Sequence, residues 1–310
     1  MDNEDFKTAG SVTSWQDLVD MERKYSDTKE EWIFRGDSAD RPPQSTLERV
    51  KDTAPGISVR KLESELFNAF KRSFRIHTPG QESRPDNDVL YWLSLMRHFG
   101  TPTRLLDFTY SLFIATFFAL ERQGRSDAVL WLISKTWLTR PNVKFMFENG
   151  GKISGKLIRG GEFCKLWGNR DADAFTTIFW DENSPYKGVF PVNPAASHQR
   201  LHLQQGLFLC PVDVEKSFSD NLKDVDGYQE KVLKLLIKPE CRDEILLKLH
   251  RAGTNRELLF PGLDGFAQGL QSKTPILYSK LEELAKSGAR VATDDKGEFL
   301  WAKYYDEYCR

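Results

Sequence analysis

The chain has 310 residues, 40% of them hydrophobic and including 21 Phe and 8 Trp, enough for a sizeable core in one large domain or two smaller ones. Its formal net charge of −1 gives no global basic field for nucleic acid, and its longest apolar run, Leu112 to Leu120, is too short to span a bilayer. The four cysteines (Cys164, Cys210, Cys241 and Cys309) form no C-x-x-C pair, and the acidic, polar start does not read as a secretory leader, so a reducing, cytoplasmic setting is expected.

In chain order, residues 1–30 are polar and predict a helical extension, with a helix around Ser14 to Tyr25 that Ser14 and Asp17 can start. Glu31 to Arg35 reads as a short strand ending on Gly36, and Asp40 to Arg49, with Pro42 and Pro43, reads as a loop. From Val59 to Phe74, Leu62, Leu66, Phe67, Phe70 and Phe74 share one face of a predicted helix. Thr78 to Asp86 is a polar loop, and Asp88 to His98 is a second helix. Ala128 to Ile133 has the apolar run of a buried strand.

Residues 136–170 mix glycines, aromatics and basic residues and read as an insertion of uncertain structure, which could also offer a local nucleic-acid surface. Gln199 to Cys210 alternates as a strand pair or one long strand, and Lys231 to Lys238 is a strand stopped by Pro239. Glu240 to Arg251 is a helix closed by Gly253, Glu257 to Phe260 is briefly extended, and 272–310 is a helical tail. Helices and strands mix without regular alternation, so an α+β fold is expected: a mixed sheet packed with helices around one central buried helix at about 111–120.

The segment from Arg97 to Ser111 holds the densest chemistry. A loop rich in His, Arg, Asp, Thr and Ser runs into a helix that is apolar on every face and must therefore be buried. The first backbone N–H groups of that helix need partners, which Thr109 or Ser111 can supply as a cap. Its N-terminus, with Arg104 nearby, suits an anion such as a phosphate. Arg104 and Asp107 also have the spacing of a structural pair that shapes the loop. Arg35 can grip a phosphate or pair with an interior acid. His98 can act as a base or satisfy the carbonyls at the end of its helix. Arg200 and Gln204 stand in an apolar stretch where polar groups must be satisfied or face a ligand. His198 and His202 lack a third ligand at recognisable spacing, so no metal site is expected.

These residues carry a family resemblance. His98-Phe99-Gly100-Thr101-Pro102-Thr103-Arg104-Leu105-Leu106-Asp107-Phe108-Thr109, with Phe118-Ala119 further on, resembles the hallmark of the FRG domain. Phe34-Arg35-Gly36 supplies the triplet that names the family. Arg200 with Gln204-Gln205-Gly206, and Leu259 to Gly265, follow in the expected order. The resemblance implies an FRG domain over 31–271 and members associated with bacteria or phage, some beside defence genes, hence a candidate role in phage defence.

A second, weaker resemblance is to ADP-ribosyltransferases. It follows the order Arg35, then Thr109 and Ser111, then Glu257. This resemblance implies that Arg35 holds a pyrophosphate while Glu257 supports an oxocarbenium-like ribose. Three function classes follow. The first is a nucleotide-handling enzyme or toxin-like effector with NAD as the candidate substrate, His98, Asp107 and Glu257 as catalytic candidates, and Arg35, Arg104, Thr109, Ser111, Arg200 and Gln204 as ligand-binding candidates. The others are a non-catalytic sensor of a nucleotide or phage component that signals to a protein partner, and a nucleic-acid module.

Overall fold

A computed structural model describes residues 6–53, 56–78, 87–122, 124, 126–153, 156–158, 160–169, 171–194 and 199–270. The first elements are β1 (Lys7–Val12), α1 (Trp15–Ser26), β2 (Trp32–Asp37), α2 (Thr46–Thr53), α3 (Val59–His77) and α4 (Val89–His98). Next come β3 (Leu106–Thr109), α5 (Leu112–Leu120), β4 (Ala128–Ser134), α6 (Lys135–Asn149), β5 (Gly151–Ile153) and β6 (Lys156–Ile158). They are followed by α7 (Gly160–Gly168), α8 (Ala172–Phe179), β7 (Val189–Val192), α9 (Gln199–Leu203), β8 (Gly206–Pro211) and α10 (Phe218–Lys223). The last are α11 (Tyr228–Lys231), β9 (Val232–Ile237), α12 (Arg242–Arg251) and α13 (Arg256–Leu259).

The fold is mixed, as expected. Seven strands form one sheet in the order β1-β9-β4-β2-β3-β8-β7, and β5 with β6 forms a separate hairpin. β1 runs parallel to β9, and every other neighbouring pair is antiparallel. The N-terminal segment therefore holds a sheet strand as well as the expected helix. β1 has no apolar run to announce it, because it lies at the sheet edge and exposes its first residues.

The middle of the sheet positions the site. β2 pairs with β4 over six residues but with β3 at one position only, Phe34 opposite Thr109. Beyond that pair the two strands part, so the sheet is two half-sheets joined at a narrow waist. One face of the first half-sheet is covered by α1, α5 and α12, which bury Leu18, Phe117 and Ile245 against Phe34, Leu132 and Leu235. On the other half-sheet, α3, α4 and α8 bury Phe67, Leu93 and Phe179 against Phe190, Phe208 and Cys210. The opposite face holds Ile33, Trp131, Phe108 and Leu207, covered by Leu138 of α6 and Phe218 of α10.

α5 is the expected buried helix, and Ser111 caps it by accepting a hydrogen bond from the Ile114 N–H at 3.3 Å. It lies so close to β2 that a Cβ on Gly36 would stand 2.0 Å from the Ala115 carbonyl oxygen. Glycine at position 36 therefore serves strand-to-helix contact.

Several expectations change. The segment Asp40–Arg49 is not all loop, since α2 begins at Thr46, and Ser45 accepts a hydrogen bond from the Glu48 N–H. Gln199 to Cys210 is a short helix followed by a strand; both periods suit so brief a stretch. Asn255 caps a helical turn at 256–259 where an extended piece was expected. The insertion resolves into α6, the β5–β6 hairpin and α7, packed through Met146 and Phe163. His198 and the tail from 271 lie outside the described residues.

Candidate functional site: an arginine-lined cleft

A cleft of about 1090 Å³ opens at the waist of the sheet. β2 brings Arg35 and Asp37, α4 brings Arg97, His98 and then Phe99, and β3 brings Asp107 and Thr109. α9 brings Arg200 and the turn after it Gln204, the end of α5 brings Phe118 with Glu121 and Arg122, and Arg256 to Gln268 close the far wall. Among the described residues, seven arginines line it (Arg35, Arg41, Arg49, Arg97, Arg122, Arg200 and Arg256) against four carboxylates (Asp37, Asp107, Glu121 and Asp264), an excess of three positive charges. No lysine among the described residues lines the cleft, although the chain holds more lysine than arginine. Planar guanidinium groups suit phosphate in pairs, as ammonium groups do not.

Three arginines are tied to carboxylates: Arg41 to Asp37, Arg97 to Asp107, and Arg256 to Glu121. Among the described residues, Arg35, Arg49, Arg122 and Arg200 have no carboxylate within 4.0 Å. Strand alternation sets Arg35 on the opposite side of β2 from Phe34 and Gly36. It reaches the cleft because β2 and β3 have parted there, and one of its terminal nitrogens donates to the Asp107 carbonyl at 2.8 Å. Its buried Nε–H has no hydrogen-bond partner among the described residues.

Burial lowers the pKa of Arg35 and of Arg200; Asp107 opposes that change and Arg97 adds to it. Burial followed by repulsion from Arg97 does the same to Arg49. The guanidinium carbons of Arg200 and Arg256 lie 4.2 and 4.3 Å from the Phe260 ring centroid, within cation–π range. Burial alone would raise the Asp107 carboxyl, but Arg97, then Arg35 and Arg200, outweigh it and hold it below the usual range. Asp107 is therefore an ionised counter-charge with Arg97 donating to it.

The sequence candidates divide on this geometry. Arg35, His98, Asp107, Thr109, Arg200 and Gln204 line the cleft together. Arg200 does so on α9 and Gln204 in the turn just past its end, where the Gln204 N–H donates to the Arg200 carbonyl at 3.0 Å, and not by alternation along a strand. Thr109 donates to the Gln204 carbonyl at 2.7 Å, and Gln204 donates to the Leu259 carbonyl at 3.1 Å, tying β3, α9 and α13 into one wall.

Arg104 does not join them. It is 1% exposed, its Nε donates to Glu63 at 2.9 Å, and another nitrogen donates to the Phe179 carbonyl at 2.9 Å. Burial disfavours its charge, but Glu63 more than offsets this and raises its pKa. The pairing expected between Arg104 and Asp107 is replaced by Arg104 with Glu63 and Asp107 with Arg97.

The N-terminus of α5 also faces away from the arginines. Ser111, Leu112 and Phe113 line a separate cavity of about 380 Å³ with Glu22, Glu30 and Glu31, whose charge repels an anion. Glu257 is exposed on α13 and lies outside the lining of the cleft. Arg35 and Thr109 therefore share a site with neither Ser111 nor Glu257. Sequence reading passed over Arg49, Arg97, Arg122 and Arg256; only Arg97, one residue before His98 at the end of an apolar helix, carried a local signal. Among the described residues there is no metal-binding cluster and no helix long and apolar enough to cross a membrane.

The FRG domain family model matches residues 30–128, so this segment is an FRG domain. It runs from just before β2 to the start of β4 and contributes Arg35, Arg97 and Asp107; α9 and the far wall come from outside the match. No curated protein and no solved structure matches the chain.

Proposed function

We propose that the cleft binds a pyrophosphate-bearing small molecule, with Arg35, Arg97 and Arg200 holding its phosphates. The observation that carries this reading is the excess of arginine charge around Arg35, whose buried Nε–H has no partner. Partly buried cations that repel one another gain from an anion that neutralises them and accepts their hydrogen bonds.

NAD, ADP-ribose and nucleoside diphosphates belong to this ligand class. The geometry favours binding over ribose transfer, because Glu257 stands outside the cleft and Asp107 is engaged by Arg97. The chain then acts as a receptor whose occupancy a protein partner reads. Thermal-shift titration with inorganic pyrophosphate, ADP, ADP-ribose and NAD tests this, since a ligand of the folded state raises its melting temperature. At least one should do so, with an effect that weakens as salt rises; no shift with any of the four overturns the proposal.

A further inference from the structure

We infer that the ligand carries an aromatic base and that Phe99 is the platform on which the base stacks. This rests on the reading of the cleft as a pyrophosphate site and narrows that ligand class to nucleotides. Among the described residues, five phenylalanines line the cleft: Phe34, Phe99, Phe108, Phe118 and Phe260. Phe34 and Phe108 are buried in the sheet. Phe260 meets two guanidinium groups and packs against Phe118, their ring centroids 5.9 Å apart. Phe99 is 61% exposed, in the wall of a cleft that arginines also line.

The position of Phe99 is fixed. It is the C-cap of α4, and its N–H donates to the Leu95 carbonyl at 3.1 Å. Gly100, with φ +85°, turns the chain immediately afterwards, and the Thr101 N–H returns to the Met96 carbonyl at 2.9 Å. The His98 ring meets Phe99 at 4.9 Å between centroids and 81° between planes, an edge contact that leaves a broad aromatic face open. Arg97 and Phe99 lie two residues apart on this helix end, one suited to phosphate and the other to a π-face. The cleft volume exceeds what a pyrophosphate group needs, which leaves room for a nucleoside. Stacking is tolerant of base identity, because every base presents a π-face.

Calorimetric titration of the full chain with ADP and with inorganic pyrophosphate, for wild type, Phe99→Ala and Phe99→Trp, tests this. Phe99→Ala should weaken ADP about tenfold or more and leave pyrophosphate unchanged, and Phe99→Trp should restore ADP affinity. Equal losses for both ligands in Phe99→Ala would mean that Phe99 shapes the cleft, and no loss for either would mean that it contacts nothing; both overturn the inference. If wild type binds pyrophosphate as tightly as ADP, the stacking inference fails while the phosphate site stands. If wild type binds neither, both fail.

Discussion

Arg104 and Arg35 read alike in the sequence, each a lone arginine beside apolar residues, but their surroundings differ. Arg104 donates to both Glu63 oxygens and to the carbonyls of Phe179, Pro211 and Val212, so its charge is balanced inside the protein. Arg35 donates to one carbonyl, keeps an unpartnered Nε–H and sits among arginines that repel it. A satisfied buried arginine holds elements together, here α3, the bend leading into β3, α8 and the end of β8. An unsatisfied one at a cleft is prepared for a ligand.

The largest effect expected from this contrast is on stability. Arg104→Ala leaves Glu63 as an uncompensated buried charge, and such a break costs about 3–5 kcal/mol. Urea denaturation should show that loss, and ligand affinity in the fraction that remains folded should be unchanged. A mild, fully folded variant that fails to bind pyrophosphate would return Arg104 to the site. Next comes Gly36→Ala. Its Cβ meets helix backbone at 2.0 Å, and overpacking costs about 1–3 kcal/mol or more where the backbone must shift. A thermal melt equal to wild type would show that β2 and α5 part freely.

Asp107 should give a smaller, pH-dependent effect. Its folded pKa is depressed, so its contribution is fully present above the unfolded value of about 3.9 and is lost as pH falls through the folded value. The carboxylate is 40% exposed, so solvent screens the pair and the effect is modest. Wild type should exceed Asp107→Asn in stability at neutral pH, with the gap closing below about pH 4. A gap that does not change with pH would mean that the Arg97–Asp107 contact contributes nothing electrostatic.

Much of the frame was legible. α3, α4, α5, β4 and α12 announce themselves because each buries a long periodic or continuous apolar face. β3 was hidden because four residues inside a polar motif give no period to read. α2 and α13 are short and follow turn-like residues, so their caps outweigh their pattern. Half of the site was legible through the motif residues Arg35, His98, Asp107 and Thr109. The partners were not, because Glu63, buried on α3, reads in the sequence like any surface glutamate. Local spacing matched Arg104 with Asp107, whereas the fold brings Glu63 from 41 residues away. The anion site likewise moved from the N-terminus of α5, read from the helix dipole, to arginines gathered from six separate segments.

The central claim is that Arg35 is left unsatisfied for a phosphate-bearing ligand, and Arg35→Lys tests it most directly. Lysine can remake the single bond to the Asp107 carbonyl but cannot offer a planar fork. Calorimetric titration of wild type and Arg35→Lys with inorganic pyrophosphate should show binding by wild type, and an affinity at least about tenfold weaker in a variant whose melting temperature is unchanged. Equal affinity in the two proteins would contradict the account and make Arg35 a structural arginine like Arg104.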